Sequence, residues 1–541
     1  MLIFKSLIMK FIKDIKVCLL FFGLTAVSCT DLDETVYSSI TAEGTTLTAD
    51  DLDAIIVPPY ASLRDIYWGW DGMFDAYEES SDLIVTPARV GIGWGQQYVN
   101  MHQHTWLSDL SHIEALWSRT YSSINQINRA ILQIEGLENK EVTDVYLAEL
   151  RGMRAMCYYI LYDNYRNIPL VKRFDLPEGF LPEQSDNREV YDFIVNELEE
   201  VMPLLSTDGQ GSYGRFNQFA AKMTLAKMYI NSEVYIGESK WEEAISEVQD
   251  IIDSGEFSLT PEFSDVFALD NENLVEAIFA IPYDNIEASG SYLAFKALYG
   301  KSRETFDLAG SPWGGSAAIP QFIDTYDEDD ARLETTWLGG LQYSSSGAPI
   351  LLDENDPNSQ LNYTNYIKSV NEAGPTEGYR FVRYEIGSGV VATYGTDVPF
   401  YRYTDALMIK AECLLRLGRA DEAASIVSEV RQRAFKDSDP SKAVVTGAEL
   451  MQGSTYEYGK YEDGEITNYE GGDDIEYGRF LDELAWEFVG EHHRKQDLIR
   501  FGVYTTKSWF SHSPNGDFRK IFPIPLSQMQ TNSNLDQNPG Y

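Results

Sequence analysis

Between Tyr67 and Trp106 the chain sets flat aromatic rings beside side chains that bind hydroxyls. Trp68, Trp70, Asp82, Arg89, Trp94, Tyr98 and Asn100 stand among Gly91, Gly93 and Gly95. These types suit carbohydrate: an indole face lies against the C–H side of a pyranose ring, while carboxylate, amide and guanidinium groups take its hydroxyls. The three glycines cannot sustain a helix and present Trp94 on a loop. Trp94 is the expected platform, with Asp82, Arg89 and Asn100 as hydroxyl partners and Trp68, Trp70 and Tyr98 as further contacts. Trp68 and Trp70 also fit a place in the core under the first helix. A second indole, Trp313 in Ser311-Pro312-Trp313-Gly314-Gly315, again sits in a turn whose neighbours add no bulk. Tyr283, Tyr292 and Trp337 are alternatives of a kind more often found in cores than at contacts.

Other chemistries find less support. His102 and His104 share one face if their stretch is a strand, but two ligands do not make a metal site. His492-His493 fall among Glu487, Glu491, Arg494 and Asp497, which on a helix builds an ion-pair network more readily than a site. Glycosidase chemistry needs two carboxylates about 5–9.5 Å apart in a cleft, and among 85 acidic residues some pair meets that by chance. Gly-x-Ser-x-Gly, His-Glu-x-x-His and phosphate-loop motifs are missing from the sequence. No cofactor is implied. Structural calcium in the acidic stretch Tyr461 to Asp474 competes with a simple solvated charge run.

The formal net charge of −43 repels phosphate backbones and anionic headgroups, which excludes nucleic acid as a natural partner. At the N-terminus Lys10, Lys13 and Lys16 precede an apolar run from Val17 to Val27, too short for the about 20 residues a spanning helix needs. It ends in Ala26-Val27-Ser28-Cys29, which resembles a bacterial lipobox, so residues 1–28 are expected to be a lipoprotein signal peptide and Cys29 the lipid anchor. A plain secretory signal cut near Ala26 is the alternative. Cys157 and Cys413 lie in apolar, helical surroundings and are expected to be buried thiols.

Helical periodicity must position these groups. Trp117, Tyr121, Ile124, Ile127 and Ile131 recur at three- and four-residue steps, as do Leu147, Leu150, Met153, Cys157, Ile160 and Leu161. Tyr191, Ile194, Leu198 and Met202 give a further helix, capped by Ser185 or Asp186. Two stretches resemble the tetratricopeptide repeat: Ala220-Ala221 through Ala244, and Leu407 through Ala423. Between them, residues 256–400 are rich in Gly, Ser, Asn and Tyr and predict a loop-rich subdomain laid against the helices. The expected organisation is a helical region at 29–255 carrying the ligand loop, the loop-rich subdomain at 256–400, and a second helical region at 401–541. Ser344 to Asn362 and Tyr456 to Asp474 read as surface loops.

Over nearly the whole chain after residue 28, ordered motifs resemble the SusD/RagB-like nutrient-binding lipoproteins of Bacteroidetes. They begin with Leu150-Arg151-Gly152-Met153-Arg154-Ala155, Tyr158-Tyr159 and Asn167-Ile168-Pro169-Leu170-Val171, then Gly214-Arg215-Phe216. They continue with Tyr401-Arg402-Tyr403-Thr404-Asp405, Val430-Arg431, Glu483-Leu484-Ala485-Trp486-Glu487, Glu491-His492-His493-Arg494 and the ending Asp536-Gln537-Asn538-Pro539-Gly540-Tyr541. Gly152 and His493 depart from the family pattern. The resemblance implies a mainly α, SusD-like fold of tetratricopeptide-type helix pairs with a loop-rich insertion. It implies no bond-breaking chemistry. The implied role is a lipid-anchored, surface-exposed outer-membrane protein that passes a glycan to a SusC-like TonB-dependent transporter. A RagB-like peptide-binding role and a surface glycosidase are the alternatives.

Overall fold

Wherever three- and four-residue apolar spacing persists, the chain is helical. The computed structural model describes residues 49–541 apart from 68, 69, 138, 139 and 289; the signal segment, Cys29 and Trp68 lie outside the described residues. In chain order the helices that build the frame are α1 (Ala49–Tyr67), α2 (Met73–Glu78), α3 (Gln96–His102), α4 (Ser111–Glu135), α5 (Lys140–Tyr165), α6 (Asn187–Val201), α7 (Gln218–Ile230), α8 (Trp241–Ser254), α9 (Leu293–Ala297), α10 (Tyr403–Arg416), α11 (Ala420–Phe435), α12 (Gly478–Phe488) and α13 (Arg494–Arg500).

Helix α4 shows how pattern becomes packing. Its stripe of Ile113, Leu116, Trp117, Ile124, Ile127, Ile131 and Ile134 is buried against α1 and α5. Each such side chain contributes roughly 1.5–3 kcal/mol of apolar burial. Asp186 is the cap of α6, accepting the Glu189 N–H at 2.9 Å, and Asn217 caps α7 through the Ala220 N–H at 2.9 Å. The fold is mainly helical, as the pattern predicts. The two repeat-like stretches are far apart in sequence but adjacent in space: α7 packs on α8, α8 on α10, and α10 on α11. Small buried residues, Ala220, Ala221, Ala244, Ala411 and Ala423, let these helices approach.

Short antiparallel pairs tie the irregular stretch to the frame. Strand β1 (Ile84–Val85) pairs with β3 (Ala317–Ala318), and β2 (Ala277–Ile281) with β4 (Val398–Arg402). The second pair is buried along its length and closes the excursion between Ile281 and Val398. The stretch Tyr456 to Asp474 is more ordered than a surface loop: β5 (Gly459–Glu462) and β6 (Glu465–Tyr469) form a hairpin around Asp463-Gly464, both with positive φ. Asp-Gly is a favoured pair for such a turn because both positions need left-handed backbone.

The histidines also differ from expectation. His102 ends α3 and His104 has φ +52°, so the stretch is no strand. Both are buried: His102 Nε2 lies 2.5 Å from the Phe510 carbonyl, and His104 Nε2 lies 2.8 Å from that of Ser80. Burial lowers them to about 4 and about 3, so they are neutral packing groups. His492 and His493 lie in the turn before α13. His492 stacks on Phe400, while His493 joins Asp405 at 2.9 Å and Lys227 at 3.0 Å. Among the described residues no group of three or more His, Cys, Asp or Glu is arranged to hold a metal. Cys157 and Cys413 are free and buried.

An aromatic platform as the candidate site

Strand pairing brings two distant loops together. Because β1 pairs with β3, the segment leading to Trp94 lies beside the segment that follows Trp313. The Trp94 indole N–H donates to the Trp313 carbonyl at 3.0 Å. Trp70, from the turn after α1, completes the group, with ring centroids 5.6 Å from Trp94 and 5.4 Å from Trp313. Tyr292 extends it, 5.7 Å from Trp313. Trp94, Trp313 and Tyr292 are half-buried, and Trp70 is 40% exposed. The rings are therefore packed at their edges and still open to solvent.

Glycine makes the close fit. Gly91 and Gly93 adopt φ +79° and +86°, which sets the course of the Trp94 loop. At Gly315 a Cβ would come within 2.6 Å of the Trp94 ring and 2.8 Å of the Lys296 carbonyl. Any side chain there would push Trp94 off its support. The Trp313 turn hangs from α9 and the residue after it by three backbone bonds: Trp313 N–H to Phe295, Gly314 N–H to Leu298 and Gly315 N–H to Lys296, at 2.8, 2.7 and 2.6 Å. At the Trp70 turn, Asp71 has φ +51°; its N–H donates to the Asp75 carboxylate at 2.7 Å, and its own carboxylate meets Arg119 at 2.5 Å.

Beneath the rings lies a dry knot of charge. The Lys296 ammonium is bonded to Asp75 and, at 2.9 Å, to Glu79, and it sits 4.7 Å from the centre of the Tyr98 ring. His112 Nε2 lies 3.2 Å from Asp75. Burial pulls the ammonium down, but Asp75 and Glu79 outweigh it and hold Lys296 above the ordinary lysine value. Burial likewise opposes ionisation of Asp75, yet Lys296 and His112 keep that carboxyl well below its usual range.

Several expected contacts take other places. Asp82 is fully buried and held by Arg494 at 2.6 and 2.8 Å and by the Tyr458 hydroxyl at 2.7 Å. Arg89 is buried beneath the Trp313 turn, donating to the carbonyls of Gly315, Gly374 and Glu377 at 2.9, 2.7 and 3.0 Å. Both are bracing groups, because each spends its hydrogen bonds inside the protein. Tyr98 is buried, meets Trp94 in a T-shaped contact at 5.3 Å and supports the platform. Asn100 accepts from Gln96 at 3.2 Å, one helical turn away. Tyr283 and Trp337 are core residues, 4% and 3% exposed. Sequence reasoning missed Lys296, Asp75 and Glu79, whose spacing carries no motif.

Several charged residues of the C-terminal family motifs lie elsewhere, in a second buried knot. Arg402 meets Glu276, Glu487 and Glu491; Arg433 meets Glu276 and Glu487; Arg332 meets Asp330, Glu483 and Glu487; Arg431 meets Glu483; and Arg383 meets Glu491. Burial alone would raise the carboxyls of Glu276, Glu483 and Glu487, but the guanidiniums outweigh it. Glu276, Glu483 and Glu487 fall below the usual carboxylate range, Glu483 to about 2.

Comparison with known proteins agrees with this frame. The starch-binding protein SusD of Bacteroides thetaiotaomicron is 24% identical over 487 residues, covering 81% of this chain and 80% of that protein. Among solved structures, a SusD superfamily protein from Parabacteroides distasonis superposes with a TM-score of 0.71 at 18% identity, over 92% of this chain and 100% of the other. Surface glycan-binding protein A from Bacteroides thetaiotaomicron, in complex with laminarihexaose, gives 0.67 at 20% identity over 91% and 100%. A family described as starch-binding and associating with the outer membrane matches residues 76–230. The SusD family model matches residues 254–541, more than half of the sequence, and the chain belongs to the SusD family.

Proposed function

We propose that the protein is a cell-surface glycan-binding lipoprotein that captures an oligo- or polysaccharide on the Trp70–Trp94–Trp313–Tyr292 platform and delivers it to a SusC-like TonB-dependent transporter. The observation that carries this reading is the meeting of three indoles from three separate loops, with Trp70 open to solvent and its ring 5.6 Å from Trp94 and 5.4 Å from Trp313. Neighbouring rings inclined to one another offer a curved surface, which suits successive pyranose units better than a single flat ring does. The Asp71–Arg119 pair, partly exposed beside Trp70, takes the hydroxyl-binding role first assigned to Asp82 and Arg89. Lys296 and Arg89 are both sealed below the rings, so the surface offers little to a polyanion and favours a neutral glycan.

The role is binding without bond cleavage, and the relatives named above are binding proteins by name. Cys29 supplies the lipid anchor in this reading, and among the described residues no helix is long and apolar enough to cross a membrane. Calorimetric titration with starch and laminarin oligosaccharides tests the site. Trp94→Ala is expected to weaken binding about thirtyfold, the equivalent of about 2 kcal/mol for truncating a central aromatic contact. Unchanged affinity in a folded Trp94→Ala protein rejects the platform. Selective binding of peptides in place of glycans rejects the ligand class.

A further inference from the structure

We infer that Lys296 is the positioning residue of the platform: its buried ammonium, through Asp75, Glu79 and the Tyr98 ring, and its backbone carbonyl, through Gly315, hold the three indole-bearing segments together without touching the ligand. The inference rests on the platform reading given above. Each segment reaches Lys296 by a different contact. The Trp70 turn leads into α2, whose Asp75 bonds the ammonium, and Glu79, the next residue after α2, bonds it at 2.9 Å. The Trp94 loop leads into α3, whose Tyr98 ring lies 4.7 Å from the ammonium and meets Trp94 in a T-shaped contact. The Trp313 turn returns to the Lys296 backbone through the Gly315 N–H at 2.6 Å, and the next residue, Ser316, donates to Glu79 at 2.9 Å.

Glu79 shares this role, since it bonds the ammonium, Thr86 before the Trp94 loop and Ser316 after the Trp313 turn, but no other cation named at this site meets all three segments. Arg89 reaches the Trp313 turn from the Trp94 loop but not the Trp70 turn, and Arg119 holds only the Trp70 turn. The ammonium is 1% exposed, so it cannot bond a sugar on the far side of the rings. Its carboxylate partners are fixed as well: Glu79 also accepts from Thr86 at 2.5 Å, and Asp75 also meets His112 and the Asp71 N–H. Rigid support of this kind acts on affinity by reducing the ordering required when ligand arrives.

The test separates geometry from ligand binding. Indoles this close couple their electronic transitions and give a paired circular-dichroism band, which can be read without any glycan. Lys296→Met alone leaves Asp75 and Glu79 buried without their cation, so the informative protein is Lys296→Met combined with Asp75→Asn and Glu79→Gln, which strands no charge. It is expected to keep its helical spectrum, lose the paired indole band and bind glycan at least about tenfold more weakly. A milder variant, Glu79→Gln, keeps the Asp75 pair and covers the case in which the triple variant fails to fold. It is expected to weaken the band and reduce affinity several-fold, with Glu79→Asp recovering part of both. A folded triple variant, or Glu79→Gln where that alone folds, with band and affinity unchanged overturns the inference and leaves the platform intact. Conversely, if Trp94→Ala and Trp313→Ala abolish the band yet bind glycan normally, the platform reading falls, and positioning by Lys296 is judged on the band alone.

Discussion

Two regions handle buried charge in opposite ways. In the C-terminal half, Arg332, Arg383, Arg402, Arg431 and Arg433 are matched against Asp330, Glu276, Glu483, Glu487 and Glu491, and nearly all of these atoms are sealed from water. Under the platform, Lys296 faces Asp75 and Glu79 in an equally dry place, but the rings above them reach solvent. The first knot joins β4, α11, α12 and Glu276, the residue before β2, into the frame. The second joins loops, and its product is a surface. A protein that must keep one shape while its ligand loops vary gains from this division, because the large network fixes the frame and the small one tunes the contact.

The largest effect should come from breaking the frame. Glu487→Ala leaves Arg332, Arg402 and Arg433 short of a carboxylate, and removing one partner of a buried network costs about 3–5 kcal/mol. Denaturant titration should show a lower midpoint, while glycan affinity of the protein that remains folded stays unchanged. A midpoint shift worth less than about 1 kcal/mol would place this network outside the stabilising frame.

Helix α2 lies between the two regions, and its Glu78 separates them by pH. Burial pushes the Glu78 carboxyl up to about 8, although the backbone N–H of His492 donates to it at 2.9 Å. A folded value above the unfolded one means that the stabilising contribution is complete below about 4.5 and is lost as pH rises toward about 8. Glu78→Gln cannot lose that proton, so it should leave stability unchanged at pH 4 and raise it by about 3 kcal/mol near pH 7. Glu483 runs the other way. Its value of about 2 lies below the 4.5 of an ordinary glutamate, so its contribution is present above about 4.5 and is lost as the pH falls toward about 2. Thermal melts of wild type and Glu78→Gln between pH 4 and 8 measure the first effect; parallel curves refute it.

At the platform the order of effects reverses. Trp313→Ala should cost little stability, since that ring is only half-buried, yet lower glycan affinity by about 2 kcal/mol. Combined with Trp94→Ala it should cost less than the two separate losses together, because both rings pack against Trp70 and each loss alone already loosens that shared ring. Strictly additive losses in a double-mutant cycle would show that the two rings meet different parts of the ligand.

Helix periodicity was readable, because a buried stripe such as Ile113 to Ile134 depends on local spacing alone. Glycine was readable too. Gly93, Gly314 and Gly315 mark places where the backbone turns left-handed or a ring comes close, and those places hold Trp94 and Trp313. Gly152, a departure from the family pattern, has the same cause: a Cβ there would meet the Phe216 ring at 2.3 Å. The Asp463-Gly464 hairpin was marked by its turn residues and still read as a loop, because the flanking stretch is so acidic. Asp82 and Arg89 were misread for a different reason. Their partners are Arg494, 412 residues away, and the Gly315 carbonyl, 226 residues away, and nothing local to either residue points to them. Lys296, in Leu-Ala-Phe-Lys-Ala, carries no mark at all until the fold brings Asp75 to it.

The smallest expected effect is also a direct check on what the platform includes. Asn100 has the side chain that a sugar hydroxyl would select, and it lies only six residues beyond Trp94. On α3, however, Tyr98 points toward Trp94 and Lys296, and two further residues turn the helix by about 200°, which carries Asn100 to the other side. There it accepts from Gln96 and Thr105 in exposed bonds. Asn100→Ala should therefore change glycan affinity by less than about 0.5 kcal/mol, within the range of an ordinary surface substitution. A larger loss, measured in the same titration that shows the Trp94→Ala effect, would mean that the bound glycan wraps around α3 and that the platform is wider than its four rings.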